Sequence, residues 1–323
     1  MAFKLLILRT EQRMETHIAE TWPPLLAAQL PDVEVRFSRS EAEAMPLIED
    51  ADAAFGMIGP ELFSRAKRLR WVACPQAGPD PSFYHRRLVE SDVVVTNVRG
   101  IFNEHIGQHI LAYVLTFARG LHTYHALQAR REWKPRQPVV YLPEATAVIV
   151  GVGGIGAEAA RLCAAFGMTV LAVDPRVTEP PPGVAELHPA EALAEVLPRG
   201  DFVIDCAPQT PRTQGLFNAH LFRRMKRSAF FINIGRGATV VLDDLNAALR
   251  EGTLAGAALD VFEIEPLPAE HPLWDAPGMI VTPHVAADGP HIDERRTAVF
   301  LENCRRFNAG EPLLNVVDKA NWF

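Results

Sequence analysis

Residues Thr146 to Arg176 read TAVIVGVGGIGAEAARLCAAFGMTVLAVDPR, and the reading of this stretch decides the fold. An apolar run, Ala147–Val150, ends in Gly151-x-Gly153-x-x-Gly156. A segment of helical period continues to Phe166, and Gly167 stops it. A second apolar run then ends on Asp174, 18 positions after Gly156. This is the order of a β-α-β unit able to hold a dinucleotide. Gly151 permits a tight turn, Gly153 lets backbone approach a pyrophosphate, and Gly156 lets helix pack on strand. The helix N-terminus offers unpaired N–H groups to the phosphates. A bare GxGxxG is a common glycine-rich turn. Its specificity here comes from the strand before, the helix behind and the carboxylate at the end of the second strand.

Working outward, strands recur at Phe202–Asp205, Ala229–Asn233, Ala255–Asp260 and Met279–Thr282. With Val148–Val150 and Val170–Val173 they make six, the number that two mononucleotide-binding halves require. Upstream, FKLLIL (residues 3–8), Val33–Phe37, Ala53–Met57, Arg70–Cys74 and Val93–Thr96 read as five further strands. Helical stretches alternate with them: Leu25–Leu30 after Pro23-Pro24, Ser40–Glu49, and a short helix opened by Pro60. The pattern is a second, smaller doubly wound α/β unit. Its loop Pro75–Asp80 (PQAGPD) leaves the C-terminal end of a strand, where open α/β sheets bind ligands.

Asn103 is placed to cap a helix whose apolar positions Ile106, Ile110, Tyr113, Val114 and Phe117 keep helical spacing. The segment from Arg119 to Val139 is helical, then basic and proline-broken; it reads either as a solvated arm or as a subunit contact. His122 and His125, three apart, read as a surface pair, because no third metal ligand is in reach. Gly289-Pro290 opens a helix to Phe307, with Arg305 and Arg306 in its last turn and Gly310 at its end. The tail EPLLNVVD returns to the first unit. The expected division is therefore 1–98 with 288–323 for one domain, and 99–287 inserted between them.

The 323 residues allow each domain its own core, and 48% apolar with 22% charged content is ordinary for a globular protein. A net charge of −7 argues against nucleic acid or an acidic membrane surface as a partner. Cys74, Cys163, Cys206 and Cys304 show no metal spacing and read as reduced thiols. The opening MAFKLLILR has too short an apolar run for a signal peptide, and no apolar segment is long enough to cross a bilayer. The expectation is a soluble, cytoplasmic protein without a metal.

Chemistry belongs just beyond the strand ends. Arg236 follows the strand AFFIN, Glu265 follows GAALDVF, and His284 follows MIVT. Singly, each has an ordinary explanation: an ion-paired arginine, an exposed loop acid, a structural histidine. Together they describe one reaction. A cofactor that moves hydride to a carbonyl carbon needs a group to give a proton to the oxygen. A histidine beside a carboxylate keeps its proton near neutral pH. A guanidinium can grip a carboxylate with two parallel bonds and polarise the neighbouring carbonyl. Arg, Glu and His around a nicotinamide thus point to reduction of a 2-oxo acid or its reverse. No GxSxG, Walker A or HExxH pattern points elsewhere.

These residues carry a resemblance. From about Leu69 to Asp318 the chain resembles the D-isomer-specific 2-hydroxyacid dehydrogenases, glyoxylate/hydroxypyruvate reductases among them. The matching runs, in the family's order, are VGVGGIG, CAPQTPRTQGLFN, MKRSAFFINIGRG, LDDLNAALREGTLAGAALDVFEIEPLP, HPLW and VTPHVA. The resemblance implies a Rossmann domain inserted into a flavodoxin-like substrate domain. It implies Arg236 as substrate binder, Glu265 as partner of His284, and His284 as general acid/base. It implies Gln76, Ala77 and Gly78 at the substrate, the last two through their N–H groups. Gly151, Gly153, Gly154, Ile155, Gly156, Asp174, Cys206, Pro208, Thr213, Asp260 and Ala286 would line the cofactor, Asp260 near the nicotinamide. It also implies a homodimer through the dinucleotide domain, which favours the subunit-contact reading of residues 119–139.

Two positions depart from the family. Gly107-Gln108 stands where an Ala-Glu pair is common, and Gln76 where a small residue is frequent. Asp174 can accept from a ribose 2′-OH and would repel a 2′-phosphate, so NAD is expected over NADP, with Arg176 read as solvent-facing. The competing function is a regulatory, NAD(H)-sensing protein of corepressor type on the same fold.

Overall fold

The alternation of strands and helices folds into two units, each built on its own parallel sheet. This computed structural model describes residues 3–9, 16–79 and 81–322. Met1 and Ala2 of the opening run, Asp80 of the PQAGPD loop and the terminal Phe323 lie outside the described residues.

One unit comprises Met1–Ile101 and Gly289–Phe323. Its first segment runs β1 (Lys4–Leu8), α1 (Thr16–Gln29), β2 (Glu34–Ser38), α2 (Glu41–Leu47) and β3 (Ala53–Phe55). It continues α3 (Pro60–Arg65), β4 (Trp71–Ala73), α4 (Arg86–Val89) and β5 (Val94–Thr96). The strands are parallel in the order β2-β1-β3-β4-β5, the flavodoxin-like arrangement. Both faces of the sheet are covered, which is why β1 reads as an unbroken apolar run. Leu6 and Leu8 pack with Ile48, Leu62 and Val72, whereas Leu5 and Ile7 pack with Trp22, Phe55 and Trp71. The helix expected after Pro23-Pro24 begins earlier, at Thr16, and carries both prolines inside it. Full burial of Trp22 and Leu26 on the sheet outweighs the lost backbone donors.

The other unit is Phe102–Asp288. After α5 (Asn103–Ala118) and α6 (Leu121–Ala129) come β6 (Thr146–Val150), α7 (Gly154–Ala165), β7 (Thr169–Val173) and β8 (Glu186–His188). Then follow α8 (Leu193–Val196), β9 (Phe202–Asp205), α9 (Ala219–Phe222), β10 (Phe230–Asn233), α10 (Leu242–Arg250), β11 (Gly256–Leu259) and β12 (Met279–Val281). All seven strands are parallel, in the order β12-β11-β10-β9-β6-β7-β8. The chain leaves β6 for β7 and β8, then returns to β9 on the other side of β6, so the topology switches between β6 and β9. Ligands bind at the strand ends of such a switch.

Three local expectations need correction. The sheet has a seventh strand, β8, which completes the first half beside β7. Its three residues, ELH, are two polar and one apolar, too short and too polar to signal a strand. Asn103 does not cap α5: the N-cap is Phe102, and the Asn103 side chain lies in the first turn against Gly154. His122 is half-buried rather than fully at the surface with His125; its ring packs edge-on against Phe117 while His125 is exposed.

The chain then passes into α11 (Ile292–Ala309), which Gly310 ends in a left-handed conformation. The helix belongs to the first unit, where Phe300 stacks on Trp22 at 4.2 Å. The tail pairs there too, Val317 N–H donating to the Val95 carbonyl.

Candidate active site

The glycine loop sits at the switch point, and its glycines differ in what their missing side chains allow. Gly151 has φ +85°, a conformation that favours glycine, and a Cβ there would stand 3.1 Å from the Ala207 backbone. A Cβ at Gly156 would lie 1.9 Å from the Gly151 carbonyl oxygen, so α7 can sit this close to the loop only with glycine there. At Gly153 a Cβ would meet nothing within 4 Å. That open space lies at the N-terminus of α7, before Gly154 and Ile155, where N–H groups lack helical partners. The cradle fits the pyrophosphate of a dinucleotide.

Asp174 follows β7 and is 5% exposed. One of its carboxylate oxygens accepts from the Val152 N–H at 2.9 Å, inside the glycine loop. The other accepts from the N–H groups of Arg176 (2.8 Å) and Val177 (3.0 Å). Its negative charge is thereby fixed beside the loop, with one acceptor position left on Oδ2. Cys206 and Pro208 leave the end of β9. The Thr213 hydroxyl donates to the Pro208 carbonyl at 2.6 Å, so it closes its own loop. Gly107 also finds its reason here. A Cβ there would stand 2.7 Å from Glu158 Cγ, so glycine lets α5 lie close against α7.

Arg236, Glu265 and His284 follow β10, β11 and β12, three adjacent strands of this sheet. His284 Nδ1 lies 2.7 Å from Glu265 Oε2. The second Glu265 oxygen accepts from the Phe262 N–H at 2.9 Å, which fixes the carboxylate plane. The bond and charge of Glu265 raise the His284 pKa, helped by Asp260 and opposed by burial and the Arg236 charge. Burial would raise the Glu265 pKa, but the His284 and Phe262 bonds and the charges of His284 and Arg236 hold it below the ordinary value. Both shifts favour the imidazolium–carboxylate form of the pair. Arg236 turns one guanidinium nitrogen to its neighbour, the Gly235 carbonyl, at 2.7 Å.

His284 has φ +54°, a left-handed conformation that costs energy and so needs support. Asp260 supplies it. Its carbonyl accepts from the His284 N–H at 2.8 Å, and its carboxylate accepts from Val285 and Ala286, each at 2.9 Å. Behind Asp260 stands Thr282, whose hydroxyl donates to Asp260 Oδ1 at 2.5 Å. That hydroxyl's remaining acceptor positions face Tyr113 OH at 2.5 Å and His109 Nε2 at 3.3 Å. Sequence reasoning missed this chain. Tyr113 was legible only as an apolar position on α5, and Thr282 only as the residue ending β12. The usable signal was a phenol on a buried helix face, since a buried hydroxyl needs a partner.

In the other unit Gln76, Ala77 and Gly78 form the loop after β4, and the Ala77 carbonyl accepts from Asn97 Nδ2 at 2.8 Å. None of the four cysteines is in a disulfide. Among the described residues no group of three or more His, Cys, Asp or Glu could hold a metal, and no helix is long and apolar enough to cross a membrane.

Comparison with known proteins extends the geometry. The family model described as "D-isomer specific 2-hydroxyacid dehydrogenase, NAD binding domain" matches residues 111–286. Glyoxylate/hydroxypyruvate reductase A of Serratia proteamaculans is 33% identical over 93% of this chain and 95% of its own. A D-isomer specific 2-hydroxyacid dehydrogenase of Xanthobacter autotrophicus Py2, solved with NADPH and MES, superposes with a TM-score of 0.86. It is 32% identical, over 99% of this chain and all of that one. The NADPH-dependent glyoxylate/hydroxypyruvate reductase of Sinorhizobium meliloti, solved with NADP and sulfate, gives 0.82 at 32% identity, over 99% of this chain and 100% of its own.

Proposed function

The chain belongs to the D-isomer-specific 2-hydroxyacid dehydrogenase family and is a dinucleotide-dependent oxidoreductase. On that premise we propose that it reduces small 2-oxo acids such as glyoxylate or hydroxypyruvate to D-2-hydroxy acids, with Arg236, Glu265 and His284 as its catalytic residues. The observation that carries this is the 2.7 Å His284–Glu265 pair following β12 and β11, beside the Arg236 charge, in the sheet that bears the glycine cradle. The dinucleotide, when bound, supplies the hydride to the 2-carbon. His284 donates its Nε2 proton to the carbonyl oxygen, because Nδ1 is committed to Glu265. Arg236 holds the substrate carboxylate and draws electron density from the carbonyl. Ala77 and Gly78 offer N–H groups to the same carboxylate, and Gln76 shapes the substrate loop. Glu265 keeps the imidazole protonated and in one orientation. Asp260 and Ala286 bound the nicotinamide end. Gly151–Gly156 hold the pyrophosphate, and Cys206, Pro208 and Thr213 line the cofactor.

For the cofactor, the Asp174 charge favours NAD over NADP. A second reading has specific support: two structural relatives at 32% identity carry NADPH or NADP. Titrating intrinsic fluorescence with each reduced nucleotide separates the two. NAD preference requires tighter binding of NADH, and Asp174→Ala should narrow the gap; tighter NADPH binding removes Asp174 from that role. We further propose a cytoplasmic homodimer, with domains dividing near residues 98 and 288. Its contact is the arm after α6, where Trp133 is 96% exposed and borders a groove with Tyr124 and Leu127.

The decisive experiment follows NADH and NADPH absorbance with a panel of 2-oxo acids, alongside Arg236→Ala and His284→Ala. Loss of His284 should cut turnover by about 10²–10⁴-fold. A variant with undiminished turnover removes that residue from the mechanism.

A further inference from the structure

One buried acid in this unit takes no part in the chemistry above. Asp205 ends β9, is wholly buried, and joins two loops. Its Oδ1 accepts from the Ala207 N–H at 2.9 Å, holding the loop after β9. Its Oδ2 stands 2.6 Å from Thr239 Oγ1. The same Thr239 oxygen stands 2.7 Å from the carbonyl oxygen of Arg236.

A hydroxyl carries one proton, so Thr239 can donate across only one of these two short gaps. The other would set lone pair against lone pair at hydrogen-bonding distance unless a second proton lies in it. A carbonyl has none to give. Asn233 Nδ2 donates to the Arg236 carbonyl at 3.1 Å and lies 3.5 Å from Thr239, and so fills neither gap. Only the Asp205 carboxyl can supply the missing proton, and the Ala207 bond identifies Oδ2 as the oxygen that carries it. We propose that Asp205 is a protonated carboxylic acid in the folded protein at pH 6, donating to Thr239, which donates to the Arg236 carbonyl. Asp205 and Thr239 are then positioning residues for Arg236, tied at the same time to the loop after β9.

The surroundings agree. Burial pushes the Asp205 pKa up to about 7 against the Thr239 and Ala207 bonds, and no cation is among the influences on it. The titratable groups beside it are the thiol of Cys206, next in the chain, and that of Cys163 on α7, which acts on Cys206. Both thiols are pushed up by burial and stay neutral. Asn233 on β10 is uncharged. A Cβ added at Gly151 or at Gly235 would also press on the Ala207 backbone, so the tie is made where the glycine loop and the Arg236 loop meet the loop after β9.

The experiment begins with Asp205→Asn, because asparagine reproduces a protonated acid: Oδ1 accepts from Ala207 and Nδ2 donates to Thr239. Infrared spectra at pH 6 should show the C=O stretch of a protonated carboxylic acid in the wild type and not in D205N. Identical spectra overturn the proposal. The melting temperature of D205N at pH 6 should lie within about 3 °C of the wild type, a range equivalent to roughly 1 kcal/mol in a domain of this size. A larger loss means that the site holds an ionised acceptor, and overturns it. Thr239→Val should lower kcat/KM about tenfold, mainly through KM for the 2-oxo acid, and Thr239→Ser should restore it. An unchanged KM in T239V, or no rescue by serine, removes the positioning role. This kinetic arm rests on the role proposed for Arg236. The infrared and melting arms read the Asp205 proton without turnover and stand or fall apart from it.

Discussion

At the scale of single residues, the His284–Glu265 pair dictates how the protein should respond to pH. Glu265 raises the His284 pKa above its ordinary value. The folded state therefore holds this proton more tightly than the unfolded chain. The stability that His284 contributes is complete below the unfolded pKa of about 6.5 and is lost as pH rises through the higher folded value. Glu265 is shifted the other way, and its contribution is lost as pH falls through its depressed pKa. Catalysis inherits the first of these signs. Reduction of a 2-oxo acid uses protonated His284, so kcat/KM should fall at alkaline pH with a midpoint above about 6.5. In Glu265→Gln the charge that raises the imidazole pKa is gone, and the alkaline limb should move to lower pH. A limb that stays in place in that variant would show that another group controls it. Thr282→Val addresses the support behind the histidine. With the donor to Asp260 removed, the left-handed loop at His284 loosens. Turnover should fall about tenfold or more with little change in nucleotide binding, the cost of misplacing a catalytic group.

At the scale of elements, the contact between the glycine loop and α7 is the least forgiving feature. A methyl at Gly156 would overlap the Gly151 carbonyl, so Gly156→Ala must push α7 away from β6. Thermal unfolding should show a loss of about 1–3 kcal/mol, and calorimetric titration a marked loss of nucleotide affinity. An alanine variant that binds normally would refute the close approach. The arm after α6 makes a different prediction. If Trp133 seats in a second copy, Trp133→Ala should shift the sedimentation equilibrium from dimer towards monomer. Elements also divide what a sequence can reveal from what it cannot. The β6-α7-β7 unit was legible because glycines, an apolar run and a carboxylate recur at spacings that backbone geometry enforces. Arg236, Glu265 and His284 were legible as candidates because all three follow strands of one sheet, where open α/β sheets bind ligands, and because together they describe one reaction. β8 was not, since three residues with two polar side chains carry no period. Nor were α1's early start, which depends on burial of Trp22, and the hydroxyl chains. Thr239 meets Asp205 across 34 positions and Tyr113 meets Thr282 across 169, and no local pattern records such meetings.

At the scale of the whole molecule, each unit owns its core. Phe217, Phe222 and Phe231 are packed in the dinucleotide unit, and Trp22, Phe55 and Trp71 in the other. Calorimetry should therefore resolve a nucleotide-sensitive transition. Saturation with reduced dinucleotide at 100 times its Kd stabilises the binding unit by about 2.7 kcal/mol and should leave the other unit's transition close to its original temperature. A uniform shift of all unfolding would mean that the two melt as one. Chain order has one more consequence. The dinucleotide unit is a single uninterrupted segment, whereas the other is assembled from two that flank it. Phe300 and Cys304 complete the core around Trp22, so that face of the first sheet stays only partly covered until α11 has been translated. The inserted unit is whole while its host is still waiting on the ribosome. Synthesis thus imposes an order of maturation: the half that holds the dinucleotide is finished first, and the half that carries the Ala77–Gly78 loop closes last.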